Sequence, residues 1–340
     1  MEQKGYFRSL TSLKGLFILI IAVHNTLLVT PLFSGVPGVA FIKLFGGALG
    51  NSMFFILSGF LLSGNYKDRI QQHGISFRDY MLRRLKKLYP MFILSNFAAL
   101  TIDILRYGVS AINIEKIILS TLLIRSGYNS PTWFLCVLFV CYVLYFGICY
   151  FAKSPTHYIV YTFLTASVGY SLMNVNLDFL FLSPSYGIGF LNFFLGCILA
   201  EIYPLISEKL HKRLQPLFLV LLPLLMYLML SYGVEIIAGD VRVCFSLVIC
   251  PMIVYLSLVK GPCCKILQFK GFVALGNISS CIFFWHLVIY FAFCDLYALV
   301  TQGTAVQEPQ YLLYFVLMLV ISAVFSKLQG RKPAGKGLPV

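Results

Sequence analysis

The stretch Gly15-Leu-Phe-Ile-Leu-Ile-Ile-Ala-Val-His24-Asn-Thr-Leu-Leu-Val-Thr30 is the part of the chain that decides its fold. It is about as long as a helix that crosses the hydrocarbon core of a bilayer. An ionisable side chain at that depth costs free energy, so intramembrane histidines often serve a function. Imidazole also gains and loses a proton near neutral pH. His24 is therefore a candidate catalytic residue, the alternative being a histidine that only hydrogen-bonds a neighbouring helix.

The composition of the whole chain also indicates a membrane protein. Of its 340 residues, 59% are hydrophobic and 11% are charged, and the mean hydropathy is +0.87. About a quarter of the residues of a soluble domain are charged. Long unbroken apolar runs favour helices over a β-barrel, because a helix satisfies its backbone hydrogen bonds within one segment. We therefore predict an all-α, polytopic membrane helix bundle.

About ten transmembrane helices are predicted from the apolar segments. They cover approximately residues 13–32, 40–63, 89–107, 133–152, 157–175, 187–206, 216–233, 241–259, 275–299 and 310–328. The first run has no small-residue cleavage site and is interpreted as the first span. The segment 114–125 is amphipathic and too short to span, so it should lie at the interface or re-enter. We expect one transmembrane domain over residues 1–328 and a disordered cytoplasmic tail over residues 329–340.

Lysine and arginine residues determine the predicted orientation. Of the 26, all but five lie on the side of the N-terminus, and those five are Lys43, Arg106, Lys116, Arg125 and Arg242. Because positive charge is retained inside, both termini are predicted to be cytoplasmic in a multi-pass protein of the cytoplasmic (inner) membrane. The same bias explains the net charge of +14, so membrane lipids are expected partners and nucleic acid is not.

Metal and redox sites have no support in the sequence. Most of the ten cysteines fall within apolar runs, where a thiol behaves as a small hydrophobe. They show neither metal-ligand spacing nor a disulfide framework, and we predict no metal.

A basic segment before the third predicted span offers candidate ligands for an anion. It contains Arg83, Arg84 and Lys87, and guanidinium groups bind phosphates through paired hydrogen bonds. The alternative is a charge cluster that contacts anionic headgroups. Lys14 precedes His24 by ten residues, or ~15 Å along a helix. It should lie at the cytoplasmic mouth, either assisting the same ligand or anchoring the helix at the interface.

Three further positions are candidates with simpler alternatives. Ser58 and Gly59, in the second span, permit close helix approach and interhelical hydrogen bonds, and plain packing explains them equally well. His286 is a second intramembrane histidine that would line the same cavity as His24 or be a satisfied polar residue. Trp133, at the start of the fourth span, is typical of an interfacial aromatic belt.

Six motifs, in this order along the chain, resemble the acyltransferase type 3 family of membrane proteins. They are Leu10-Thr11-Ser12-Leu13-Lys14-Gly15 with His24, Phe54-Phe55-x-Leu-Ser58-Gly59-Phe60-Leu61, Arg83-Arg84-x-x-Lys87-x-x-Pro90, Thr132-Trp133-Phe134-Leu135, Asn192-Phe193-Phe194-Leu195-Gly196, and Leu275-Gly276-Asn277-Ile278-Ser279 with His286. Lys14 stands where the family has arginine, and Thr11 where it has aspartate. The Val-Glu pair of many members is absent, as in the family's shorter branch.

The resemblance implies an enzyme that transfers an acyl group from acyl-CoA, by default acetyl-CoA, to a hydroxyl of a surface polysaccharide or its lipid-linked precursor. His24 would act as general base or carry the acyl group itself. The implied donor-binding residues are Lys14, Arg83, Arg84, Lys87, Ser58 and Gly59, and His286 and Trp133 would bind the acceptor. One passage from the cytoplasm to His24, with Ser58, Gly59 and His286 in its walls, is expected. The alternative is a transporter or flippase of a lipid-linked sugar without covalent chemistry.

Overall fold

The computed structural model describes residues 2–29, 36–175, 177, 179–232, 241–303, 306 and 308–329. Within these ranges the regular structure is helical, apart from an isolated bridge between Phe179 and Leu182. The all-α prediction is confirmed. From residue 330 onwards, the predicted tail lies outside the described residues.

Four helices form the first part of the bundle: α1 (Glu2–Val29), α2 (Pro37–Gln71), α3 (Phe77–Tyr107) and α4 (Ile114–Thr121). Helix α2 continues past its predicted span at the C-terminal end and α3 at the N-terminal end, so the basic segment forms the first turns of α3. The side chain of Ser76 caps α3 by accepting a hydrogen bond of 3.1 Å from the backbone nitrogen of Asp79. Helix α4 is short, as expected of a segment that does not span.

The rest of the chain forms α5 (Trp133–Phe151), α6 (Pro155–Met173), α7 (Pro184–Ile202), α8 (Glu208–Tyr232), α9 (Val241–Cys244), α10 (Cys250–Leu258), α11 (Pro262–Leu267), α12 (Lys270–Val300) and α13 (Glu308–Leu328). A π-helical turn, Phe245–Ile249, joins α9 to α10. The two helices and this turn therefore form one continuous span.

Nine segments of the described chain are long and apolar enough to cross a membrane: α1, α2, α3, α5, α7, α8, α9–α10, α12 and α13. The remaining predicted span corresponds to α6, which has 19 residues and packs along α7. Its threonine, serine and tyrosine residues lower its hydropathy, but a helix of this length measures ~28 Å, close to the hydrocarbon thickness. The protein is thus a multi-pass integral membrane protein of about the predicted number of helices.

Helix α1 packs against both α2 and α12. At its contact with α12, Gly15 lies against the backbone of Gly276, and a side chain on either glycine would overlap the opposing backbone. Small residues of this kind allow membrane helices to approach closely. Because α1 carries both Lys14 and His24, these contacts determine where the candidate site residues lie.

Candidate active site

His24 lies near the C-terminal end of α1 and packs against α2. Its Nδ1 atom is 3.0 Å from the carbonyl oxygen of Ile42. A carbonyl oxygen can only accept, so Nδ1 carries a proton, and Nε2 of the neutral ring bears the lone pair. The ring fits because Gly47 has no side chain, and a Cβ atom there would overlap the imidazole. The structure therefore holds His24 in the tautomer that accepts a proton at Nε2.

A cavity of about 270 Å³ lies beside His24. Polar and apolar residues line it together: Ile21, His24, Asn25, Gly47, Asn51, Ser130, Pro131, Trp133 and Phe283. Ser130 and Pro131 precede α5, and His24 lies in the last two turns of α1, so the cavity occupies the end of the bundle opposite the N-terminus. Trp133, which the family resemblance implied would bind the acceptor, shares this cavity with His24.

His286 contacts the cavity residue Asn25 from the side away from the cavity. The side chain is fully buried, and its Nδ1 atom is 3.0 and 2.9 Å from the carbonyl oxygens of Ile282 and Phe283. Nδ1 therefore carries the proton, and Nε2 accepts a hydrogen bond of 2.9 Å from Nδ2 of Asn25. Within the described ranges, His286 is not part of the cavity lining. Its contacts favour the interpretation as a satisfied polar residue. Its Nε2 atom accepts from Asn25, which does line the cavity.

Arg84 is the buried member of the basic segment. Only 8% of its surface is exposed, and its guanidinium lies over the rings of Tyr66, Tyr80 and Tyr142, with centroid distances of 4.4, 5.5 and 5.6 Å. These cation–π contacts stabilise the charge. Nε and Nη2 have no hydrogen-bond partner in the described part of the chain. Since buried donors are nearly always paired, the position fits the binding of an anion.

Lys14 lies close enough to Lys87 and Arg84 for their charges to repel its ammonium group. We call these three residues the cationic cluster. Like charges at short range are unfavourable unless an anion neutralises them. Arg83 is exposed, because one residue along a helix turns the side chain by about 100°. Lys87 is exposed as well, so of the four predicted phosphate ligands the structure buries Arg84, partly buries Lys14 and leaves Arg83 and Lys87 at the surface.

The cationic cluster and the cavity are two separate places joined by α1. Ten residues separate Lys14 from His24, which corresponds to ~15 Å along the helix axis. Between them, Phe17 and Ile18 are buried in the packed bundle. Among the described residues, no member of the cationic cluster lines the cavity at His24, and the open passage between the two stays a prediction.

Ser58 and Gly59 contact neighbouring backbone. The α-carbon of Gly59 lies against the carbonyl of Phe193 in α7, and Gly196 of α7 approaches the backbone of α2 in return. The hydroxyl of Ser58 donates a hydrogen bond of 2.7 Å to the carbonyl of Phe54 in its own helix. Neither residue lines the cavity at His24 among those that the structure describes. These contacts favour the packing interpretation.

Of the nine described residues that line the cavity, only His24 and Trp133 were predicted from the sequence, and the missed ones include Asn25, Asn51 and Gly47. The two asparagines carried a signal, since an amide within an apolar span is costly unless it has a partner. The pair Gly46-Gly47 also indicated close helix approach. Of the tyrosines around Arg84, Tyr80 lies one turn earlier in the same helix, but Tyr66 and Tyr142 had no local signal because they come from α2 and α5 and meet Arg84 only in the folded bundle.

The fold and the site define a multi-pass membrane protein in which an imidazole near one end of α1 lines a cavity of polar and apolar residues, and a cationic cluster lies beside the middle of the same helix. A family model described as an acyltransferase domain matches residues 7–327. The chain therefore belongs to the acyltransferase type 3 family of membrane proteins.

Among curated proteins, the chain is similar to an uncharacterized protein of Haemophilus influenzae, with 44% identity over 41 residues. The match covers 12% of this chain and 17% of that protein. The chain thus covers less than a fifth of this relative. No solved structure matches the chain.

Proposed function

We propose that the protein is an acyl-CoA-dependent O-acyltransferase of the cytoplasmic membrane. It would move an acyl group, by default acetyl, to a hydroxyl of a surface polysaccharide or its lipid-linked precursor. The observation that carries this proposal is the hydrogen bond from His24 Nδ1 to the carbonyl of Ile42, which leaves Nε2 as a proton acceptor in a polar cavity.

The chemistry follows from that tautomer. Nε2 of His24 takes the proton of the acceptor hydroxyl, whose oxygen attacks the thioester carbonyl. The C–S bond then breaks, and the imidazolium returns its proton to the CoA thiolate. In the second route that remains open, Nε2 attacks the thioester first and carries the acyl group to the hydroxyl. Both routes need the same lone pair on Nε2.

The donor would enter from the cytoplasm with its phosphates on the cationic cluster. The support for this placement is the buried guanidinium of Arg84, whose Nε and Nη2 atoms have no partner among the described residues. Guanidinium–phosphate hydrogen bonds are among the stronger polar contacts in proteins. The acyl arm would then run along α1 and displace apolar side chains such as Ile18 as it approaches His24.

Release of free thiol tests the proposal against the transporter alternative. Purified protein in detergent is incubated with acetyl-CoA and an extract of lipid-linked sugars, and free CoA is measured with a thiol reagent. An acyltransferase liberates CoA in proportion to acylated product, whereas a flippase liberates none. The His24→Ala variant is the control for spontaneous thioester hydrolysis. Equal thiol release by both proteins would contradict the proposal.

Labelled acyl-CoA without acceptor distinguishes the two routes. Label retained on the protein after denaturation, and absent from His24→Ala, would indicate an acyl-histidine. Label that stays entirely with CoA until acceptor is added supports the general-base route.

A further inference from the structure

Asn25 is the cavity residue whose orientation the structure determines most closely. Nδ1 of His286 faces two carbonyl oxygens, which only accept, so the lone pair of the neutral ring is on Nε2. The atom of Asn25 that lies 2.9 Å from Nε2 must then be the donor, Nδ2. The amide oxygen Oδ1 is the other end of the group. This oxygen is the atom with which Asn25 can accept a hydrogen bond from a ligand in the cavity that it lines.

His286, which accepts the hydrogen bond from Asn25, is itself held in place by its neighbours. His286 is fully buried, and the hydroxyl of Tyr314 in α13 donates a hydrogen bond of 3.1 Å to the His286 backbone carbonyl. An amide held by such a neighbour keeps one orientation, whereas a free amide turns over and exchanges donor for acceptor. Preorganisation of this kind makes a polar group selective for its ligand.

We propose that Asn25 recognises a second hydroxyl of the acceptor, beside the one that is acylated, and that His286 is the positioning residue that keeps the amide oxygen available to it. This role rests on the proposed function. The hydroxyl that loses its proton to Nε2 of His24 cannot donate the same proton to Oδ1 of Asn25. A neighbouring hydroxyl can, so the two adjacent residues together match a vicinal diol, the arrangement found around a sugar ring.

The test compares methyl α-glucopyranoside with its monodeoxy analogues as acceptors, using labelled acetyl-CoA. The acylated position is first identified on the parent sugar. For the wild-type protein, removal of the hydroxyl next to that position should lower kcat/KM about tenfold, as for one lost hydrogen bond. Asn25→Leu keeps the side-chain volume but has no acceptor atom. For this variant the kcat/KM of the parent sugar divided by that of the deoxy sugar should fall to about one. The KM for acetyl-CoA should stay unchanged.

Two substitutions at His286 separate positioning from a purely structural role. His286→Gln retains an oxygen that can accept from Asn25 Nδ2, and it should keep most of the preference for the diol. His286→Leu removes that acceptor and should lose the preference, as Asn25→Leu does. If His286→Leu slows the parent and deoxy sugars equally while lowering the unfolding temperature, the residue is structural and its positioning role is overturned.

The remaining outcomes are also decisive. If the wild-type protein acylates the sugar but Asn25→Leu keeps the full preference for the diol, Asn25 does not recognise the second hydroxyl, and the proposed function stands. If the wild-type protein transfers no acyl group to these sugars or to the extract of lipid-linked sugars, the proposed function fails and this role fails with it. Transfer to the extract but to none of these sugars would overturn the role of Asn25 and leave the proposed function standing.

Discussion

The imidazole of His24 rests directly on Gly47 of α2, in space that a methyl group at position 47 would occupy. Gly47→Ala should therefore push the ring away from the carbonyl of Ile42 and move Nε2. A displacement of about 1 Å in a catalytic group costs up to about a hundredfold in rate. We expect kcat to fall by that order while the KM for acyl-CoA stays the same, as measured by thiol release.

Gly64 provides the matched control for this substitution. It lies in the same helix, and a Cβ atom there would have open space around it. Gly64→Ala should retain wild-type kcat and gain slightly in helix stability. Equal activity of the two alanine variants would show that contact with Gly47 does not position His24.

Removal of the imidazole itself should abolish acyl transfer. His24→Ala loses the base, which contributes about 10²- to 10⁴-fold in enzymes of this kind. His24→Gln should be equally inactive, because an amide does not accept a proton at neutral pH. Expression and membrane insertion of both variants serve as controls. Activity near the wild-type value in either variant would remove His24 from the mechanism.

Arg84 and Arg83 are neighbours in the chain but differ in burial, and they should differ in function. Arg84→Gln removes the charge among the tyrosine rings. The apparent KM for acyl-CoA should rise about ten- to a hundredfold, since a charge-assisted hydrogen bond contributes about 1.5–3 kcal/mol. Arg83→Gln, at an exposed position, should raise the apparent KM for acyl-CoA much less. A similar KM for both variants, with altered protein levels only, would support the headgroup-anchoring interpretation.

Gly59 distinguishes helix packing from donor binding. In Gly59→Ala the new methyl group meets the carbonyl of Phe193, and overpacking of this kind destabilises by about 1–3 kcal/mol. We expect a lower unfolding temperature in detergent and an unchanged KM for acyl-CoA in the protein that remains folded. A raised KM at unaltered stability would instead assign Gly59 to the donor site.

The helices could be predicted from the sequence because the length of an apolar run depends only on the bilayer thickness. The span containing His24, the short α4 and the position of α12 were all accessible in this way. The boundaries of α2 and α3 were not, since both helices continue into polar sequence where hydropathy gives no signal. The identity of His24 and of the basic segment came from motifs. Neither hydropathy nor motifs could predict that Arg84 is the buried residue of the basic segment.

The fold class and the family could be predicted from the sequence by itself, because they follow from composition and from the order of short motifs, and the orientation inferred from the charge distribution stays a prediction. The tertiary structure decided which atoms meet. Only the packing of α1 against α2 and α12 showed that Nδ1 of His24 faces the carbonyl of Ile42 and that Asn25 contacts Nε2 of His286. The physical reason is that a tautomer or an amide orientation is determined by partners distant in the chain. In this protein those partners are a carbonyl 18 residues away and an imidazole 261 residues away.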